Sequence, residues 1–337
     1  MLIYQPSAWK GKLLKRWFPL VSRLDWFGII KRALHIDVCD FPFDDEVICY
    51  LKKQFECDEI WFSLFMGTPS MSQKITIQVA SGRKILGYCK LAKSADILKL
   101  FRKEQIILES LREKEITNVP TCLDVATLSN GYHTFVQTTR KKRTSDVLHC
   151  LSDLHVDFLD TLVERTSVNI AYDHTEYAQL IEDLMAHTCS MNPEDIDVIN
   201  KVYDCIVSHF RSVKQFCVCH ADFTPWNSYY ENGTLEVFDF EYAMRTCPTY
   251  IDLFHFVGQT AWLEDHLDAA NVYQRSKKSY RWLIGRTESP EMVYLAYLLF
   301  VFAFYSKLFQ WNFPASDAGY QLWVGEMKIW LNENTKK

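Results

Sequence analysis

The residue types best suited to chemistry lie in one stretch, FCVCHADFTPWNSYYENGTLEVFDFEYA, from Phe216 to Ala243. It contains two carboxylates, Asp222 and Asp239, and a carboxamide, Asn227. Carboxylate and amide oxygens are the hard ligands that magnesium prefers, and a further carboxylate can accept the proton of an attacking hydroxyl. Positioning and charge neutralisation provide most of the catalysis in phosphoryl transfer, and this set of groups suits that reaction.

A β-hairpin is expected to bring these groups together. Residues 217–219 read as a short strand that leads into a loop, and residues 228–230 and 234–240 are β-rich. They are joined at Asn232-Gly233, a strong hairpin signal. Folding about that turn places Asn227 and Asp239 nearly opposite each other.

The stretch resembles a known catalytic loop. HADFTPWN, His220 to Asn227, is similar to the H-G-D-x-x-x-x-N loop of the aminoglycoside phosphotransferase and choline kinase family, small-molecule kinases built on the protein-kinase fold. Asp239-Phe240-Glu241 stands where that family has its metal-binding Asp. One departure is Ala221, which replaces the usual Gly and restricts the loop backbone slightly.

The resemblance implies a role for each matching residue. Asp222 would be the catalytic base, and Asn227 and Asp239 would hold magnesium. His220 would brace the loop, and Asp252 in PTYIDLFHF would support it structurally.

The same resemblance extends upstream to a lysine and a glutamate. Lys90, in the strand-like segment KILGYCKLA, is expected to pair with the ATP phosphates. Glu104, on the following helical segment, is the best match to the glutamate that holds that lysine, and Glu109 is its competitor.

Two further nucleotide contacts are predicted from position alone. Gly67 to Ser70 lies where a phosphate-covering loop is expected, although the segment lacks G-x-G-x-x-G. Gln137 and Thr138 would end the fifth strand and offer backbone groups to adenine.

The pattern of elements predicts an α+β, protein-kinase-like, two-lobed fold. Five short strands with one helix after the third indicate a small mixed β-sheet N-lobe over residues 56–138. Residues 139–337 are mainly helical and form the predicted C-lobe, where Asn192-Pro193-Glu194 is typical of a helix start. Residues 1–55 are predicted to be an extension on or near the N-lobe.

Composition narrows the class of protein. The formal net charge is −5, which argues against binding to a nucleic acid backbone. The 11 cysteines are scattered, as expected in a reducing cytosol rather than in a disulfide framework. The longest apolar run, residues 292–305, is shorter than a membrane span and predicts a buried helix.

Residues 1–34 combine basic and aromatic side chains, and two interpretations stay open. The aromatic side chains could pack against the N-lobe, or the segment could contact an anionic membrane peripherally. The expected location is therefore cytoplasmic, or peripheral at the membrane.

The sequence thus predicts an ATP- and Mg2+-dependent phosphotransferase that acts on a hydroxyl of a small molecule or glycan. The acceptor could be a sugar, an amino sugar, a choline-like compound or an aminoglycoside-like one. The alternatives are a pseudokinase that binds nucleotide without transfer, and a metallohydrolase using His220, Asp222 and Asp239. The sequence does not specify the oligomeric state.

Overall fold

The computed structural model describes residues 45–65, 74–188 and 191–334. The chain divides into two compact units. The sheet unit contains the described residues up to Gln105 together with Pro120–Val147, and the helical unit contains Ile106–Val119 and the described residues from Leu148 onward. The predicted segment 1–34, with its two interpretations, lies outside the described residues.

In its described residues, the sheet unit contains one five-stranded sheet and two α-helices. The elements are α1 Asp45–Gln54, β1 Trp61–Phe65, β2 Ile75–Ser81, β3 Lys84–Ala92, α2 Ala95–Glu113, β4 Cys122–Thr127 and β5 His133–Thr138. The boundary between the two units falls within α2. The strand order is β1-β2-β3-β5-β4, and every pairing is antiparallel. This arrangement has the five strands, and the helix after the third, that the sequence predicts.

The core of this unit forms between α1 and the sheet. Val47 and Leu51, one turn apart on α1, pack against Ile77, Val79 and other buried strand residues. Residues 45–54 therefore belong to the sheet unit.

Gly87 lies at a point of very close approach in the central strand β3. A Cβ atom there would lie 2.1 Å from the carbonyl oxygen of Gln137 and 2.6 Å from the ring of Phe55. Only glycine fits at this position, because the obstacle is the backbone of the paired strand.

The helical unit contains seven further α-helices and five short strands within the described residues. The helices are α3 Asp153–Thr166, α4 Glu176–Met185, α5 Pro193–Phe210, α6 Ile251–Gln259, α7 Ala269–Lys278, α8 Pro290–Leu308 and α9 Ala318–Asn334. The strands are β6 Val168–Asn169, β7 Gln215–Cys219, β8 Ser228–Glu231, β9 Thr234–Val237 and β10 Met244–Cys247. They form a β10-β7-β6 sheet and a β8-β9 hairpin.

The start of α5 and the hairpin turn both follow the sequence signals. The side chain of Asn192 accepts a hydrogen bond from the backbone N–H of Glu194, and Pro193 is the first helical residue. Asn232 and Gly233 have positive φ angles of 51° and 87°, as a tight hairpin turn requires.

Helix α8 contains the longest apolar run of the chain. It is the one helix in the described part of the protein that is long and apolar enough to cross a membrane. About two thirds of its apolar window is buried inside the protein, and it packs against α4, α5, α6 and α9. It therefore serves as the central core helix of this unit, and its burial on all sides explains why it lacks an amphipathic pattern.

Candidate active site

The sheet unit contains a buried ion pair. Lys90 on β3 and Glu104 on α2 lie 2.7 Å apart, Nζ to Oε2, with side-chain exposures of 9% and 0%. The Lys90 ammonium also lies 5.2 Å from the ring centroid of Phe135 on the neighbouring strand. Glu109, the other candidate, is exposed. The structure therefore pairs Lys90 with the glutamate that the sequence favours.

Burial explains why this pair holds a single geometry. An ammonium group inside protein must be neutralised by an opposite charge, and Glu104 is that partner. The pair is stabilising only while both members are present, because either charge alone would be buried without compensation.

The other predicted nucleotide contacts are less well placed or lie outside the described residues. Gly67 and Ser70 lie outside them. Thr138 ends β5 as expected, but its backbone N–H donates to the carbonyl oxygen of Thr121 at 2.9 Å. That N–H is therefore not available to adenine. Gln137 is buried, and its side-chain oxygen has no hydrogen-bond partner among the described residues.

In the helical unit, Asp252 holds the backbone of the catalytic loop. This carboxylate, in the first turn of α6, accepts the N–H of His220 at 2.6 Å and the N–H of Ala221 at 2.9 Å. Burial raises the pKa of Asp252 above its usual range, although the two N–H groups and His220 act in the opposite direction. Ala221 has a φ of 68°, in the left-handed region that glycine adopts without strain.

His220 connects the loop to the residue that follows the second strand of the hairpin. It is fully buried, and its Nε2 lies 2.9 Å from the carbonyl oxygen of Phe238. A carbonyl can only accept, so Nε2 carries the proton, and Nδ1 accepts the N–H of Asp222 at 3.2 Å. His220 thus fixes the position of Asp222 relative to Asp239, the next residue after Phe238, without itself reaching solvent.

The hairpin brings Asn227 and the metal-binding candidate Asp239 to the same place. Ser228 pairs with Val237, and the N–H of Phe238 donates to the carbonyl oxygen of Asn227 at 3.0 Å. Asp239 comes directly after this bond, in a left-handed conformation with a φ of 72°. A non-glycine residue in that conformation is strained, which is common at functional sites.

Asn227 also contacts Asp222 directly. Its Nδ2 donates to the backbone oxygen of Asp222 at 3.0 Å and to the Asp222 Oδ2 at 2.8 Å. Both partners are acceptors, so the amide nitrogen must face them and Oδ1 faces away. Asn227 therefore orients one carboxylate and keeps its own oxygen for another ligand.

His255, also on α6, is a buried histidine that contacts the candidate catalytic loop. Its Nε2 lies 3.2 Å from the Oδ1 of Asp222. The reason lies in helical spacing, because residues 252 and 255 are three apart and share the face of α6 that meets the loop. That spacing, counted from Asp252, was the signal in the sequence that could have identified His255.

Two partly buried tyrosines of the same unit, Tyr242 and Tyr305, lie near enough to Asp222 for its charge to act on them, and Phe304 contacts both. The ring of Tyr242 lies 5.0 Å from Phe304, which is 5.6 Å from Tyr305. Burial, together with the negative charge of Asp222, raises the pKa of Tyr305 to about 12. Burial and nearby carboxylates, Asp222 among them, also raise the pKa of Tyr242. Two aromatic side chains therefore lie within reach of the charge of Asp222.

The fold and the groups around Asp222 define the class of protein as a kinase-like phosphotransferase. The chain belongs to the phosphotransferase enzyme family (APH), whose family model matches residues 88–283 of the 337. The predicted family resemblance and the α+β, kinase-like fold class are both confirmed.

Solved structures show the same fold at low sequence identity. The apo form of a thermostable mutant of aminoglycoside phosphotransferase APH(4)-Ia is 14% identical, with a TM-score of 0.57, and the match covers 86% of this chain and 99% of that one. A ternary complex of a further APH(4)-Ia mutant with ADP and hygromycin B is 15% identical, with a TM-score of 0.56 and the same coverage. The streptomycin-ATP-APH(2")-IIa ternary complex is 13% identical, with a TM-score of 0.52, and covers 86% and 97% of the two chains. No curated protein sequence matches this chain.

Proposed function

We propose that this protein transfers the γ-phosphoryl group of ATP, with magnesium, to a hydroxyl group of a small molecule or glycan. The observation that carries the proposal is the arrangement around Asp222. That carboxylate is held by Asn227 and is one-third exposed, as a group that must meet a substrate hydroxyl needs to be.

The residues present fit a magnesium ion. Asn227 turns its amide nitrogen toward Asp222, so its oxygen is the atom directed elsewhere. Asp239, which follows the hairpin directly, would add a carboxylate oxygen. One amide oxygen and one carboxylate are a suitable protein contribution to a magnesium ion that is otherwise held by phosphates and water. When bound, Mg-ATP supplies the phosphoryl group and neutralises part of its charge.

The protein side of the reaction follows from these contacts. The oxygen of the acceptor hydroxyl forms a bond to the γ-phosphorus, and the bond between that phosphorus and the oxygen of the leaving ADP breaks. Asp222 accepts the proton that the hydroxyl loses. Asn227 keeps the carboxylate oriented, and Asp252 and His220 keep the loop backbone in place. Lys90, held by Glu104, would bind the phosphates of the nucleotide.

The aromatic surroundings of Asp222 bear on the acceptor. Tyr242, Phe304 and Tyr305 are partly buried, and such rings offer apolar surface with a few polar groups, as small-molecule sites usually do. This supports an acceptor with an apolar face as well as hydroxyl groups, of which a sugar ring is one example.

A transfer assay with labelled ATP tests the proposal. The acceptors are sugars, amino sugars, glycolipids, choline analogues and aminoglycosides, each incubated with wild type and with Asp222→Asn. We expect labelled product with at least one acceptor for wild type, and a loss of about 100-fold or more in turnover for the variant, because a general base contributes that much. Mg-ATP should still raise the melting temperature of the variant.

Two outcomes would contradict the proposal. A thermal shift with Mg-ATP but no transfer to any acceptor would favour a nucleotide-binding pseudokinase instead. Wild-type turnover in Asp222→Asn would remove Asp222 from the mechanism.

A further inference from the structure

The contact between His255 and Asp222 is more than core packing. His255 lies on α6 with its side chain 4% exposed, and it reaches a carboxylate whose side chain is 33% exposed. A buried donor is therefore directed at the one group in the site that must face solvent and substrate.

The proton positions on the His255 ring follow from its neighbours. An ionised carboxylate only accepts, so Nε2 carries the proton that is shared with Asp222 Oδ1. The Nδ1 atom is buried and has no hydrogen-bond partner among the described residues. A proton taken up from Asp222 would have no onward path through Nδ1, so His255 is not built as a relay.

His155, the comparable buried histidine of this unit, behaves differently. Its Nδ1 lies 2.8 Å from the hydroxyl of Ser152 at the start of α3, and its ring packs 4.5 Å from Phe256. Burial lowers its pKa to about 4. His155 thus serves the start of its own helix, whereas His255 contacts a residue 33 positions away in the candidate site.

Together, His255 and Asn227 hold both oxygens of the Asp222 carboxylate. Asn227 Nδ2 donates to Oδ2 at 2.8 Å, and His255 Nε2 faces Oδ1 at 3.2 Å. Each oxygen keeps a further lone pair, since a carboxylate has about four acceptor positions. The carboxylate is thereby fixed in rotation and can still take a proton.

The position of His255 is itself fixed. Its ring meets Tyr297 of α8 edge to face, with centroids 5.9 Å apart. Its helix is bound to the loop through Asp252, one turn earlier. The donor therefore cannot follow Asp222 if that side chain changes rotamer.

We propose that His255 is a positioning residue that sets the orientation of the Asp222 carboxylate for proton transfer from the acceptor hydroxyl. The inference rests on the proposed function. It assigns to this residue an effect on turnover rather than on the binding of nucleotide.

Three substitutions test it, all in the full chain. His255→Gln keeps an N–H donor near the position of Nε2, His255→Asn has its donor near the position of Nδ1, and His255→Leu has none. We expect kcat to fall about 10- to 100-fold in the Asn and Leu variants, the size that follows from a misoriented reacting group. His255→Gln should stay within a few-fold of wild type, and the KM for ATP should stay within about twofold in all three.

Controls separate this role from a structural one. His174→Leu removes an exposed histidine of the same unit and should leave kcat unchanged. If His255→Leu does not fold, the comparison of Gln with Asn still decides the question, because these amides differ mainly in where they place the donor.

Equal activity of the Gln and Asn variants, or wild-type kcat in a folded His255→Leu, would overturn the inference and leave the proposed function intact. A wild type that transfers phosphate to no acceptor would refute the proposed function itself. A fall in kcat of the expected size, restored by Gln and not by Asn, would support the positioning role.

Discussion

Glu326→Gln should make this protein more stable at neutral pH. Glu326, on α9, is 1% exposed and accepts a hydrogen bond from the hydroxyl of Tyr294 on α8. Burial raises its pKa from 4.5 to about 8. The side chain is therefore neutral in the folded protein at pH 7, whereas in the unfolded chain it is ionised.

The size of the effect follows from linkage. The pKa of Glu326 is higher in the folded protein than in the unfolded chain. The stability that this group contributes is therefore fully present below pH 4.5 and is lost as the pH rises toward 8. At about 1.4 kcal/mol per pH unit, wild type has lost about 3 kcal/mol at pH 7. Glutamine does not titrate and can accept the same hydrogen bond, so the variant avoids this loss.

Urea unfolding of wild type and Glu326→Gln at several pH values between 5 and 8 measures the effect. The difference in the free energy of unfolding should be small at pH 5 and should grow with pH. Glu164→Gln, at an exposed position of α3, is the matched control and should show no such growth. A difference that stays flat from pH 5 to pH 8 would mean that Glu326 is ionised in the folded protein and would refute the reasoning.

Three further predictions concern residues of the sheet unit and of the helical unit. Lys90→Ala should weaken Mg-ATP binding by about 10- to 100-fold, the equivalent of one charge-assisted hydrogen bond, as measured by calorimetry. Lys99→Ala, which removes an exposed lysine paired with Asp96, should bind like wild type, and equal binding by both variants would contradict the role of Lys90. Asp252→Asn should cost about 1–3 kcal/mol in urea unfolding and lower kcat, because the two loop N–H groups bond different carboxylate oxygens and an amide has an NH2 group in place of one of them; an unchanged variant would show that these bonds contribute nothing. Ala221→Gly should raise stability by up to about 1 kcal/mol, since relief of the left-handed strain outweighs the added freedom of the unfolded chain, and a clear loss of stability would contradict this account.

The local signals in the sequence were sufficient for much of the fold. Asn232-Gly233 and Asn192-Pro193 each specify a backbone conformation through a short-range mechanism, and both elements formed as expected. The catalytic loop and the hairpin are adjacent in the chain, so the approach of Asn227 to Asp222 could also be foreseen.

Contacts between distant segments were harder to predict. Tyr250 precedes α6 in a left-handed conformation, and its hydroxyl donates to Asp160, which also pairs with Arg286. These three residues come from separate parts of the chain, and no spacing rule connects them. His255 was missed for a related reason, because its role depends on where the first turn of α6 meets the loop.

Two residues of β3 matter for experiments that infer function from the substitutions that each position tolerates. Gly87 and Lys90 both lie on this strand. Any side chain at position 87 would clash with the opposing carbonyl of Gln137, and Lys90 forms the ion pair with Glu104. A saturation screen for activity would therefore find both positions intolerant. Measuring the amount of folded protein alongside activity would show how much of each intolerance comes from folding, because substitutions at Gly87 should deplete the protein itself and those at Lys90 break a buried ion pair.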